Sequence, residues 1–146
     1  MIRVEKFQMK HLKNFDCSAI VADLEISMAE NDMHPKVDMV TLLNDDGDVI
    51  CIAGINHLRI GVGEVWIIRS ELINKYKLEF YKTIKGLVDY IFKFMGLHRI
   101  ELAILSSWHG GAKWAHSLGF KFESVARAYD YQFNDHDIYT RIERGS

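Results

Sequence analysis

The sequence predicts an α/β (α+β) fold, and three observations carry that prediction. Residues 37–68 alternate between apolar runs and strong turn signals, the pattern of an antiparallel meander. Residues 76–95 place Phe80, Ile84, Leu87, Val88, Ile91 and Phe94 on one face of an amphipathic helix. Residues 100–105 form a nearly continuous apolar run interrupted by Glu101, as in a buried strand. A meander followed by helix–strand–helix–strand crossovers implies a mixed central sheet of six to seven strands flanked by helices.

The elements follow in chain order. Residues 1–8 (MIRVEKFQ) fit a short strand with Ile2, Val4 and Lys6 on one face and Arg3, Glu5 and Phe7 on the other. Residues 12–31 carry Phe15, Ala19, Ala22, Ile26 and Ala29 at helical spacing, predicting one long helix or two broken near Asn14-Phe15-Asp16. The stretch NDMHP at 31–35 stops it around Pro35, the only proline. A strand is expected at 37–43. The hairpin turn NDDGD follows at 44–48, where Asp46-Gly47 tolerates positive φ. The second strand spans 49–60, with Gly54 allowing a bend or bulge. Gly61-Val62-Gly63 turns the chain into a third strand at 64–68. Gly96 ends the central helix, and a short helix at 112–117 ends at Gly119. Residues 120–131 and 133–142 alternate as a final hairpin, with NDHD at 134–137 as its turn. Without a repeat or linker, residues 1–146 read as one domain, 144–146 being a tail or cloning remnant.

Composition narrows the function classes. Hydrophobic residues make up 49% and charged ones 26%, a globular balance. A net charge of −2 gives no basic field to recruit nucleic acid. Lys75, Lys77, Lys82 and Lys85 lie on one helical stretch, but Glu79 and Asp89 interrupt them, so a solvated face explains them. Cys17 and Cys51 sit in apolar, periodic segments and read as small core residues in a reducing, cytoplasmic setting. The N-terminus has no continuous apolar core of a signal peptide, and no run of 18 apolar residues marks a membrane span. His98, His109, His116 and His136 lack the spacing and cysteine partners of a zinc site, so no metal is expected.

One stretch is more specific: SSWHGGAKWAHSLGFKFE at 106–123. A strand (HRIELAIL), a short helix, the phrase Leu118-Gly119-Phe120 and a new strand (GFKFE), set in the element order above, resemble the GNAT superfamily of acyl-CoA-dependent N-acyltransferases. The resemblance covers nearly the whole chain, and KWAHSLGF is more similar to small phage-encoded acetyltransferase-like members. It implies a single GNAT-like domain using acetyl-CoA as cosubstrate. The acceptor would be an amine, on a protein or a small molecule, that attacks the thioester directly. A host-cytoplasm location would go with a phage-encoded member, and a homodimer is compatible with it.

The resemblance also assigns residues. Glu64 falls at the start of the strand that in the family splits from its neighbour to admit the cofactor, and there it implies a general base. An exposed strand glutamate after a Gly-Val-Gly turn is the plain alternative. Trp66, Ile67 and Ile68 would hydrogen-bond the acetyl carbonyl and pantetheine through their backbone, with Arg69 at the mouth near phosphate. The family's Gly-rich diphosphate loop maps onto residues 76–81 (YKLEFY), which has no glycine; Lys75 and Lys77 supply positive charge and Glu79 opposes it. Trp108 and Ala115 occupy the places of a frequent asparagine and tyrosine, leaving His109 as an alternative acid or base, or else a loop histidine. Tyr129, Tyr131 and Tyr139 fall in the hairpin that often lines the acceptor groove, though strand aromatics also simply pack. Asp130, Asp135 and Asp137 make that end acidic, suiting a cationic acceptor or a polar turn. The missing glycines and tyrosine leave a second reading, a catalytically inactive GNAT-fold binding or virion-associated phage protein.

Overall fold

The alternating segments become seven strands: β1 (Arg3–Lys6), β2 (Val37–Leu43), β3 (Val49–Arg59), β4 (Val62–Arg69), β5 (Arg99–Leu105), β6 (Lys121–Ala126) and β7 (His136–Ile142). They form one mixed sheet in the order β1-β2-β3-β4-β5-β7-β6. The amphipathic stretch is helix α1 (Lys77–Phe94), and the short helix is α2 (Gly111–Ser117). The computed structural model describes residues 1–12 and 37–144. Apart from Leu12, which ends a 3-10 turn Met9–Leu12, the helix expected over 12–31 with Cys17 and its stop around Pro35 lie outside them. Among the described residues no helix is long and apolar enough to cross a membrane. The described chain divides into two compact units, Met1–Asn56 with Trp66–Thr83, and His57–Val65 with Ile84–Ser146.

In the first unit β1 and β3 both pair antiparallel with β2, with a register shift between Leu42 and Leu43. The β2–β3 turn is tied by the Asn44 side chain, which accepts from the amides of Asp46 (3.0 Å) and Asp48 (2.9 Å), while Gly47 takes φ +83°. Leu42, Ile50, Cys51 and Ile52 are buried here, and Ile68 joins Ile52 in the core. Gly54 serves close approach rather than a bulge: a Cβ there would run into the Trp66 indole. Beyond β4 the Ser70 hydroxyl lies 2.9 Å from the carbonyls of both Val49 and Ile50 and caps a 3-10 turn, Glu71–Lys75. That turn carries no strong apolar period, so the sequence pattern does not announce it.

In the second unit β4 runs parallel to β5, from Val62 opposite Arg99 to Val65 opposite Leu102. β7 pairs antiparallel with β5 and with β6, so the last two strands enter the sheet in reversed order. Ile100, Leu102, Leu118 and Phe120 are buried, as is Ala115 on α2. Gly111 opens α2 against Ile104 and Trp108, where an added Cβ would stand 2.6 Å from the isoleucine. Gly119 ends the helix at φ +89°, which accounts for the Leu-Gly-Phe phrase: a buried leucine, a left-handed glycine, a buried phenylalanine.

The final hairpin departs from the predicted one. β6 stops at Ala126, and His136 and Asp137 belong to β7, so NDHD is not the turn. The connection is the longer loop 127–135. Asp130 organises it: its Oδ1 accepts the amides of Gln132 and Asn134, both at 3.0 Å. A carboxylate that caps backbone amides competes with strand pairing, which alternation alone does not show.

Candidate active site

Glu64 lies on β4, half-buried, in register with Glu101 on β5. Cα partners in a parallel ladder share a face, so the two carboxylates are neighbours. The Tyr129 hydroxyl from the 127–135 loop donates to Glu64 Oε2 at 3.3 Å. Burial raises the Glu64 pKa, the Glu101 charge adds to that, and the Tyr129 hydrogen bond opposes both. The Tyr129 phenol is pushed up to about 12, first by burial and then by the Glu64 charge, so it stays a donor at neutral pH.

Glu101 is balanced by Arg99, whose Nε donates to it at 3.1 Å. The same guanidinium forks onto Glu123 of β6. This bidentate grip holds the Glu123 carboxyl below its ordinary pKa. Glu64 has no such cation in its hydrogen bonding among the described residues, so it keeps proton affinity where Glu123 does not.

Behind Tyr129, the His136 imidazole stands 5.0 Å from its ring centre, and His136 Nε2 lies 3.1 Å from Asp130 Oδ2. Burial alone would raise the Asp130 pKa. The hydrogen bonds from His136, Asn134 and Gln132 outweigh it and bring the carboxyl to about 2. Asp130 is therefore a fixed anion that orients the loop rather than a group that exchanges protons.

The other predicted positions fall as follows. His109 is exposed in the turn ahead of α2, and among the described residues the hydrogen-bond partner of Glu64 is Tyr129. Trp108 is half-buried with its ring 5.7 Å from Trp114, bracing α2. Ala115 is fully buried, so the place the resemblance gives to a tyrosine has no room for one without repacking. Tyr139 is buried, with ring contacts to His116 and Phe122, and serves packing. Tyr131 is exposed, and Asp137 accepts a 2.7 Å hydrogen bond from the Ser106 hydroxyl.

In the first unit, Trp66 and Ile67 are half-buried on β4, Ile68 is a core residue, and Arg69 is exposed at the strand end. The Trp66 Nε1 donates to Asn56 Oδ1 at 3.4 Å. Lys75 and Lys77 are exposed where the 3-10 turn meets α1. The first-turn amides of α1 are the groups a helix leaves without an intrahelical partner, and with the two lysines they are the groups here that could hold an anion. Glu79, exposed in the same first turn, accepts the Ile2 amide at 2.9 Å and keeps a negative charge that opposes a diphosphate there. The same unit has a cavity of about 620 Å³ lined by Arg3, Lys10, His11 and Ser70 among others, and none of the predicted positions. His11 there is buried, its Nδ1 accepting the Gln8 amide at 3.0 Å.

Sequence reasoning missed Arg99 and Glu123, and it weighed His136 only as a metal ligand. Glu101 gave a signal as the charge that breaks an apolar strand. Arg99 and Glu123 meet across 24 residues, which no local pattern reveals.

No family model and no curated protein matches the sequence. Solved structures do. A spermidine N-acetyltransferase from Vibrio cholerae, in complex with CoA and spermine, is 13% identical with a TM-score of 0.72, covering 97% of this chain and 95% of that one. A ribosomal-protein-S5-alanine acetyltransferase from Vibrio fischeri is 17% identical with a TM-score of 0.66, covering 98% and 93%. At such identities the likeness speaks for the fold: this chain has the fold of GNAT acetyltransferases.

Proposed function

We propose that the chain is an acyl-CoA-dependent N-acetyltransferase, a single domain over residues 1–146, with Glu64 as its general base. The observation that carries this is the Glu64 carboxylate: half-buried on β4, next to Glu101, with a raised pKa and a tyrosine holding it. A bound acyl-CoA would supply the acetyl group as a thioester. Lys75, Lys77 and the first-turn amides of α1 would hold its diphosphate, Arg69 its phosphate end, and the backbone of Trp66, Ile67 and Ile68 its pantetheine. Glu64 takes a proton from the acceptor's ammonium, directly or through a water, and frees the nitrogen lone pair to attack. Trp108 would contact the cosubstrate at the start of α2, and His109 is the candidate for a second proton step. The acidic face around Glu64 and Glu101 favours a cationic amine, and the fold is shared with enzymes whose names include spermidine and ribosomal-protein alanine. The KWAHSLGF phrase supports a phage-encoded member working in host cytoplasm.

Calorimetric titration with acetyl-CoA tests this. Absence of heat and of any thermal shift at millimolar ligand sinks it. If binding is seen, Glu64→Gln is expected to leave affinity within about twofold and lower turnover by about 10²-fold or more. Unchanged turnover removes Glu64 from the base role. The fully buried Ala115 favours a second function, a GNAT-fold binding module without catalysis, and acetyl-CoA binding without transfer to any amine would select it.

A further inference from the structure

The 127–135 loop is held more firmly than packing an exposed tyrosine requires. Asp130 accepts from the Gln132 and Asn134 amides, the Asn134 side chain at 3.1 Å and His136 Nε2 at 3.1 Å. The Tyr129 amide donates to the Asn134 carbonyl at 2.8 Å, and the Ala128 amide to Asp135 Oδ1 at 2.9 Å. Two non-glycine residues, Ala128 at φ +47° and Phe133 at φ +62°, adopt the left-handed region within this short stretch. Backbone in that region persists where surrounding bonds over-determine it, and such places cluster at functional sites. What the loop presents is Tyr129: its ring lies against His136 and its hydroxyl reaches Glu64.

We propose that Tyr129 is a positioning residue for Glu64: its hydroxyl orients the carboxylate in the ionised state until the ammonium of a cationic acceptor replaces it. This deepens the acetyltransferase function and rests on it for the identity of the incoming group. The hydroxyl and an ammonium are both donors, so one can take the other's place on Oε2 without leaving the carboxylate bare. The nearly half-exposed tyrosine can yield that place from the solvent side.

Among the described residues, other charged or titratable groups lie on the strands next to β4. Glu101 faces it from β5 with Arg99 on its carboxylate. His57 and Arg59 are the titratable side chains of β3 ahead of the turn into β4. Tyr129→Phe removes one hydroxyl and leaves these in place. A hydrogen bond to a carboxylate favours its charged form, so loss of the donor raises the Glu64 pKa.

The test is a ¹³C NMR titration of the Glu64 carboxyl in wild type and Tyr129→Phe, with thermal unfolding as the folding control. An upward shift of about half to one pH unit is expected in the variant. The acidic limb of kcat/KM for the amine should move by the same amount, while acetyl-CoA affinity stays within about twofold. An unshifted Glu64 titration in a folded Tyr129→Phe protein overturns the proposal, as does a shifted titration with an unmoved acidic limb. A wild type that fails to bind acetyl-CoA defeats the acetyltransferase function instead, and the NMR titration reads the Tyr129 bond independently of it.

Discussion

Gly54→Ala places a methyl group into the Trp66 indole, where an added Cβ would come within 3.0 Å of Cη2 and closer still to Cζ2 and Cε2. Three indole carbons are too close, so the ring must shift and its bond to Asn56, already long at 3.4 Å, is lost. Overpacking of this kind costs about 1–3 kcal/mol. Gly54 does not use the left-handed region, so the alanine also removes freedom from the unfolded chain, offsetting about 0.4–1 kcal/mol. The net expectation is a loss of about 1–2 kcal/mol. For a chain of 146 residues that lowers Tm by about 3–8 °C. A double-mutant cycle with Trp66→Ala isolates the cause, because the indole is then absent and Gly54→Ala should be neutral or slightly stabilising. Urea unfolding followed by far-UV circular dichroism reads all four proteins without relying on tryptophan emission. An equal cost of Gly54→Ala in both backgrounds would refute the steric account and point to the strand backbone instead.

Two further outcomes follow from the charged and buried groups. Asp130 titrates near 2 in the folded protein against an ordinary 3.8, so its contribution is present above about pH 4 and is lost as pH falls toward 2. Asp130→Asn should therefore flatten the fall in Tm over that interval, and parallel Tm profiles for the two proteins would contradict the loop's electrostatics. Burial pushes the Cys51 thiol up to about 12. In a Cys17→Ser background it should ignore a disulfide reagent at pH 8 until denaturant is added, and immediate reaction of the native protein would show that strand β3 is open there.

Local pattern made most of the fold legible. The β2–β3 turn, the α1 span and the β5 run each follow from short-range chemistry: a side chain that ties a turn, a period of 3.6, a continuous apolar stretch. The boundaries of these elements differ by at most a residue or two, whereas β6 ends five residues before the predicted strand does and β7 starts three residues later than predicted. The 3-10 turn at Glu71–Lys75 and the true β6–β7 connection did not show, because Ser70 and Asp130 act through hydrogen bonds to backbone rather than through periodicity. Gly54 was visible as an oddity, but its reason needed Trp66 beside it. Tyr129 and Asp130 drew notice as an aromatic and an acid near the chain end. Their roles came only from where the loop folds.

The amino-acid sequence by itself determined the α/β class, the run of strands and helices, and the corner at Leu118-Gly119-Phe120, since each is written in neighbouring residues. It also singled out Glu64, through resemblance. Only the tertiary structure decided what surrounds that carboxylate: Glu101 in register beside it, Arg99 drawn off toward Glu123, and Tyr129 brought from 65 residues away. Strand register and loop closure set those distances, and both are properties of the folded chain that no local stretch of residues contains.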